Sequence, residues 1–130
     1  MNRFAIVASL AAALILQSAA QAGQVINIPV GVYSSPDGVT ASGSISAALQ
    51  SADNSQSIGC DIASDAISSS FISCFATDAT GNQAYCSVLS PSQAALNALS
   101  SLNASSTIYF TADTSGTCTY LSVSNGSSYL

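Results

Sequence analysis

The chain has 130 residues and a formal net charge of −5 at pH 7, and Arg3 is its only basic side chain, because it contains neither lysine nor histidine. Nucleic acids and anionic membranes are bound by cationic side chains that neutralise phosphate groups, so this composition argues against both partners and against phosphorylated ligands. All six acidic side chains are aspartates, and the other polar residues are mostly serine and threonine.

The first 22 residues have the features of a secretory signal peptide. Arg3 precedes an apolar block at residues 4–16, and Ala20-Gln21-Ala22 forms a small-x-small cleavage site. The block is too short to span a membrane. We therefore predict that residues 1–22 are removed and that residues 23–130 form a single small domain, secreted or periplasmic, with no insertion into a membrane.

The first predicted strand follows the cleavage site. Apolar and other side chains alternate from residue 25 to residue 32, which is typical of a strand with one buried face. Pro29 has no backbone N–H to donate, so we place this strand at the edge of a sheet. Its apolar residues are Ile26, Ile28, Val30 and Val32.

A turn at residues 34–38 contains proline, aspartate and glycine, which favour tight turns, and it joins this strand to a second one. A three-residue loop places the apolar face against serines, whereas a four-residue loop places it against apolar residues. We therefore predict the four-residue loop and a second strand that reaches Ala47. The predicted pairs are Val32 with Ala41 and Ile28 with Ile45.

Residues 75–85 and 110–120 share one pattern, with phenylalanine, aspartate, glycine and tyrosine at the same spacing. Between runs of strand-forming residues, this pattern predicts a hairpin whose loop contains a glycine with positive φ. We predict hairpins at residues 71–89 and 107–124, each with a cross-strand aromatic pair. With aspartate and the residue after glycine as the closing pair, the aromatic pairs are Phe75 with Tyr85 and Phe110 with Tyr120.

The hairpin at residues 71–89 is apolar on both faces, which is typical of strands inside a covered sheet. A short strand at residues 58–62 precedes it, and a candidate cover follows it. Ser90, Pro91 and Gln93 have the spacing of an N-cap, a first-turn proline and a capping-box glutamine, and leucines follow at helical spacing. We predict a short amphipathic helix that ends near Asn103 and covers the hairpin.

Four cysteines in a small exported domain predict two disulfides, for which three connectivities are open. In the predicted register Cys74 faces Cys86, but on a hydrogen-bonded rung, where the Cα separation suits a disulfide less well. We favour Cys60 with Cys74 and Cys86 with Cys118. The predicted fold is thus mainly β, with antiparallel β-hairpins, one short amphipathic helix between the second and third hairpins, and disulfide stabilisation.

The sequence offers little for catalysis, so we predict a protein that is not an enzyme and has no catalytic residue, cofactor or metal. The serines have no histidine or lysine to activate them, and no histidine or Cys-x-x-Cys pair is present for zinc. Asp113-Thr-Ser-Gly116 resembles the Asp-Thr/Ser-Gly signature of aspartic proteases but has an extra residue before glycine. Calcium held by aspartates and a hydrolase that uses carboxylates such as Asp61 and Asp65 are minor alternatives.

Two non-catalytic functions remain as hypotheses. The first is an exported structural or surface protein that is self-associating or adhesive, with residues 24–33 as an association edge, because the chain lacks the charged residues that keep sheet edges apart. The second is a monomeric binding module for a neutral ligand such as a glycan. Its platform would consist of exposed tyrosines, with Tyr33 and Tyr109 as the main candidates and Tyr129 as a third.

Overall fold

The structure, a computed structural model, describes residues 27–64 and 69–126. The predicted signal peptide, Ile26, Asp65 and Tyr129 lie outside the described residues. Within them the chain forms seven strands and two helices. In chain order these are β1 (Gly31–Ser35), β2 (Gly38–Ser44), α1 (Ile45–Gln50), β3 (Ser57–Ser64), β4 (Ser70–Thr77), β5 (Gln83–Leu89), α2 (Gln93–Ser100), β6 (Ser106–Asp113) and β7 (Cys118–Asn125).

The strands form two antiparallel sheets. One sheet has four strands in the order β1-β2-β6-β7, and the other has three in the order β3-β4-β5. The helix predicted between the second and third hairpins is α2. The prediction of a mainly β fold of antiparallel hairpins is therefore confirmed, and α1 is a second helix that the sequence pattern did not indicate.

The two sheets pack face to face around one hydrophobic core. Ile108 and Phe110 on β6 are fully buried, as are Ile72 and Cys74 on β4, and all four belong to the same cluster. Burying a large apolar side chain contributes about 1.5–3 kcal/mol, so this shared cluster holds the sheets together. Its other buried members are Val30, Val32, Ala41, Ile58, Ala76, Ala84, Cys86, Leu99 and Ala112.

The register predicted for the first hairpin is confirmed in β1 and β2, where Val32 lies opposite Ala41. The predicted continuation is wrong, because β2 ends at Ser44 and the chain turns into α1. The Ser44 side chain accepts a hydrogen bond from the Ala47 N–H at 3.2 Å and so caps the helix. Ile28 therefore has no strand partner at Ile45.

Both disulfides form with the favoured connectivity, Cys60 with Cys74 and Cys86 with Cys118. Cys60 and Cys74 lie directly opposite each other on β3 and β4, with their Cα atoms 4.0 Å apart. Such a short separation is typical of non-hydrogen-bonded rungs. The second disulfide has a different role, because it links β5 of one sheet to β7 of the other.

Helix α2 begins and packs differently from the prediction. Its N-cap is Ser92 rather than Ser90, since the Ser92 hydroxyl accepts a hydrogen bond from the Ala95 N–H at 3.2 Å. It ends at Ser100, and Leu99 is buried in the core. The helix contacts β3 and β7, so the prediction that it covers the β4–β5 hairpin is wrong. No helix among the described residues is long and apolar enough to span a membrane.

The β6–β7 hairpin contains a bulge that the sequence analysis did not predict. The register shifts between Thr111 and Ala112, so that Thr111 lies opposite Tyr120 and Phe110 lies opposite Leu121. The predicted pairing of Phe110 with Tyr120 is therefore wrong. The bulge keeps Phe110 and Leu121 on the inner face of the sheet and places Tyr120 on the outer face.

Candidate binding faces

The predicted association edge does not form an exposed apolar surface. Val30 and Val32 are buried in the core, and β1 pairs with β2 of its own chain. Ile28 is 39% exposed, and Ile26 lies outside the described residues. Because the side chains that would fill a neighbouring sheet already fill this one, the edge is an unsuitable donor strand.

An exposed apolar surface lies instead on the outer side of the three-stranded sheet. The β4–β5 hairpin has the predicted register, with Phe75 opposite Tyr85 and Phe71 opposite Leu89. These four side chains are between 38% and 81% exposed. We call them the apolar face. The sequence analysis described the hairpin as apolar on both faces and predicted that it would be covered.

Phe75 lies across Gly59 of the neighbouring strand β3. A Cβ atom added to Gly59 would lie 2.9 Å from Cζ of the Phe75 ring, so the ring occupies the space above the glycine. Beside Phe75 is a cleft of about 190 Å³ that Leu49 of α1 also lines. Leu49 is largely exposed. The apolar face therefore continues through Phe75 towards α1.

The outer side of the four-stranded sheet has a different chemistry. Because successive side chains point to opposite sides of a strand, this side carries glycine, serine, threonine and tyrosine, with Asp113 at the end of β6. Its tyrosines are Tyr33, Tyr109 and Tyr120, which are between 40% and 68% exposed. The other polar side chains are Thr40, Ser42, Thr107, Thr111, Ser122 and Ser124. We call this surface the hydroxyl face.

The structure brings both predicted platform residues, Tyr33 and Tyr109, to the hydroxyl face and adds Tyr120. The Tyr109 and Tyr120 ring centroids are 5.7 Å apart and the ring planes meet at 76°, an edge-to-face contact. A cleft of about 410 Å³ opens between these rings, Thr111 and Ser122. Tyr120 was not predicted as a platform residue, because it was assigned to a pair with Phe110.

Several hydroxyl groups on this face have no hydrogen-bond partner among the described residues. Among the described residues, the hydroxyls of Tyr109, Tyr120 and Ser122 make no hydrogen bond, whereas Thr111 Oγ1 lies 2.7 Å from Thr119 Oγ1. A free hydroxyl can both donate and accept. The cleft therefore combines aromatic rings with unused donors and acceptors.

The aspartates of the two repeated hairpins are held in their own loops. Asp78 accepts hydrogen bonds from the Thr80 hydroxyl at 2.7 Å and from the Asn82 side-chain amide at 2.9 Å. These bonds, together with two from backbone N–H groups, lower the pKa of Asp78 to about 2. Gly81 closes the loop with a φ of +86°, as predicted.

Asp113 repeats this arrangement in the second hairpin. Its carboxylate accepts hydrogen bonds from the Ser115 hydroxyl at 2.6 Å and the Thr117 N–H at 3.0 Å, which lower its pKa. Gly116 has a φ of +81°. Carboxylates that are ionised and saturated by their own loops are poor general acids, so the pattern resembling aspartic proteases is a turn motif here.

A third aspartate has the same role in the loop after α1. Hydrogen bonds from the Gln56 side chain and the Ser55 N–H lower the pKa of Asp53. Oε1 of Gln56 in turn accepts from the Val30 N–H at 2.9 Å, which connects the loop to the start of β1. The described residues contain no group of three or more cysteine, aspartate, histidine or glutamate side chains arranged to hold a metal ion.

The fold and these faces define a small antiparallel β-sandwich with two disulfides and two outer faces that carry few charges. No family model matches the chain, and no curated protein or solved structure matches it. The proposals for function below therefore rest on the sequence and on the chemistry of the two faces.

Proposed function

We propose that this protein is an exported, non-catalytic structural or surface protein that associates with copies of itself through the apolar face. The observation that carries the proposal is the exposure of two apolar pairs, Phe75 with Tyr85 and Phe71 with Leu89, on the same side of one sheet. Exposed apolar patches of a few hundred Å² are often functional in monomeric proteins. The predicted signal peptide and the two disulfides support export to an oxidising compartment.

The size of the apolar face supports a second copy as its occupant. If each large side chain has a surface on the order of 200 Å², the four residues expose about 400 Å² per copy. A standard interface buries roughly 800 Å² per partner, so these side chains supply about half of it. Polar residues on the same side complete the contact area, with Ser73 and Ser87 between the two apolar pairs and Thr77 and Gln83 beyond the pair of Phe75 and Tyr85.

The charge distribution supports the same occupant. Asp61 is the only charged side chain on this side of the described sheet, and the described residues contain no cation. A charged partner would have to bury its charges against apolar rings without a partner for them, which is unfavourable. A second copy brings another apolar face and only one carboxylate, at the sheet's edge strand.

Light scattering and sedimentation of the oxidised, processed protein across concentration would test this proposal. We expect a mass that grows with concentration, and growth that strengthens in sulfate, because excluded salts favour apolar burial. The variant Tyr85→Ser with Leu89→Ser should be monomeric, since it removes the two most exposed members of the face. Tyr33→Ser, on the opposite sheet, is the matched control and should associate as the native protein does.

Two results would overturn the proposal. One is a native protein that stays monomeric up to millimolar concentration. The other is a Tyr85→Ser, Leu89→Ser variant that associates with the same concentration dependence as the native protein. Circular dichroism of both variants checks that the fold is retained, which we expect because the substituted side chains lie outside the core.

A further inference from the structure

We propose that the hydroxyl face is a second, independent binding site, and that it binds a neutral glycan across Tyr109 and Tyr120 and along the row towards Tyr33. This site lies on the opposite sheet from the apolar face, so it goes beyond self-association. The platform predicted from the sequence consisted of separate tyrosines, whereas the structure assembles three of them on one surface.

The tyrosines are spaced across the full width of the sheet. Tyr33 lies opposite Thr40, Thr40 opposite Thr111, and Thr111 opposite Tyr120. Tyr33 and Tyr120 therefore end the same cross-strand row, three strand spacings or about 14 Å apart. Tyr109 lies in the next row, in contact with Tyr120. This arrangement suits an extended ligand that runs across the strands.

The tyrosine rings at the two ends of the site differ in orientation. A Cβ atom added to Gly31 would lie 3.1 Å from Cε2 and from the hydroxyl of Tyr33, so this ring lies along its own strand over Gly31. Tyr33 is 68% exposed, so most of its surface is open to a ligand. Tyr109 and Tyr120 are nearly perpendicular, so at least one of the two rings stands up from the sheet and forms a wall of the cleft.

The polar groups of this face match a polyhydroxyl ligand. Between the tyrosines lie the hydroxyls of Thr40, Ser42 and Ser122, which make no hydrogen bond within the described residues. Each can donate to or accept from a sugar hydroxyl. The small hydroxyl side chains between and beside the tyrosines leave room for a sugar ring to lie on the sheet.

Charge selects the class of glycan. The rows from Tyr33 to Tyr120 and from Ser42 to Ser122 contain no carboxylate and no cation. Asp113 lies at the end of β6, where its own loop saturates it. An anionic glycan would find no counter-charge here and would meet a protein of net negative charge. The face therefore suits neutral sugars.

The test measures retention of the oxidised protein on a glycan array with neutral and anionic members and on insoluble cellulose and chitin. We expect retention on at least one neutral glycan, with little change between low and high NaCl, because no ion pair contributes. Tyr120→Ala should weaken that retention about tenfold, the effect of losing one stacked ring. Tyr85→Ala is the matched control, since Tyr85 and Tyr120 are 58% and 57% exposed on opposite sheets.

The proposal is overturned if no neutral glycan retains the protein, if anionic glycans retain it better, or if Tyr85→Ala reduces retention as much as Tyr120→Ala does. The same measurement on the Tyr85→Ser, Leu89→Ser variant separates the two proposals. The Tyr85→Ser, Leu89→Ser variant should be monomeric and should still bind the glycan. The Tyr120→Ala variant should still self-associate.

Discussion

Ile28 and Ser44 are joined by three hydrogen bonds at the point where β2 ends and α1 begins. The Ser44 N–H and hydroxyl donate to the Ile28 carbonyl at 2.9 Å and 3.3 Å, and the Ile28 N–H donates to Ser44 Oγ at 3.0 Å. The same Oγ accepts from the Ala47 N–H and is fully buried. One serine side chain thus fixes the N-terminal segment to the sheet and caps α1.

Replacing Ser44 by alanine should therefore destabilise the protein more than an ordinary serine substitution does. The variant leaves the Ile28 and Ala47 N–H groups without their side-chain acceptor, and we expect the free energy of unfolding to fall by about 1–3 kcal/mol. Chemical denaturation measures this value. Ser42→Ala, two residues earlier on the outer side of the same strand, should stay within about 0.5 kcal/mol of the native protein. Equal losses in both variants would contradict the assigned role of Ser44.

The bulge predicts opposite outcomes for two aromatic residues that a regular hairpin would pair. Phe110 is fully buried, so Phe110→Ala should lower the free energy of unfolding by about 3–5 kcal/mol. Tyr120→Ala should change it by less than about 1 kcal/mol, because Tyr120 lies on the outer face. Thermal and chemical unfolding of both variants measure the difference. A large loss in Tyr120→Ala would indicate the regular register instead.

The two disulfides should differ in their effects on stability. In the chain-entropy description, a disulfide stabilises more as the loop that it closes becomes longer. Replacing Cys60 and Cys74 by alanine opens a loop with a sequence separation of 14, and we expect a loss of about 3 kcal/mol. Replacing Cys86 and Cys118 opens one of 32, for which we expect about 4 kcal/mol. Chemical denaturation of both double variants measures the two losses in free energy of unfolding. A larger loss in the variant without Cys60 and Cys74 would contradict this ranking.

Stability should fall on acidification and stay level near neutrality. Hydrogen bonds lower the pKa of Asp78 to about 2 in the folded state, against roughly 3.9 in an unfolded chain. The stabilisation is present above about pH 4 and is lost as the pH falls towards 2. Asp53 and Asp113 shift in the same direction. Between about pH 5 and 9 little should change, because the chain has no histidine, lysine or glutamate.

The melting temperature between pH 2 and pH 9 measures this dependence. Asp78→Asn should melt below the native protein at pH 7, and the difference should shrink as the pH falls to 2, where the native carboxyl is about half protonated. Asp37→Asn is the control, since Asp37 lies in an exposed turn and makes no hydrogen bond among the described residues. A difference between Asp78→Asn and the native protein that is the same at pH 2 and pH 7 would argue against an ionised, loop-bound Asp78.

Local patterns predicted most of the strands because their causes are local. Alternation and turn chemistry set Val32 opposite Ala41, and counting rungs from the Asp78 loop favoured the observed disulfides. Helix α1 was missed because its apolar residues also alternate, and Ser44 caps it only with the help of a contact to distant Ile28.

The spacing of the inward residues in β7 could have predicted the bulge. The inward residues of β7 include Cys118 and Leu121, which are an odd number of positions apart, and a regular strand cannot turn both inward. No comparable pattern in the sequence indicates that the apolar face is exposed. Whether that face is covered depends on where the helices pack, and α2 packs against β3 and β7.

The face-to-face packing of the sheets turns the apolar face and the hydroxyl face in opposite directions. Two copies joined through their apolar faces would form a stack of four sheets, with a hydroxyl face on each outer side, about 30 Å apart at roughly 10 Å per sheet spacing. The pair would be bivalent, and its two sites would point away from each other. Such a pair would cross-link separate polymer chains rather than clamp a single one, and its avidity on a dense surface would exceed the affinity of either site.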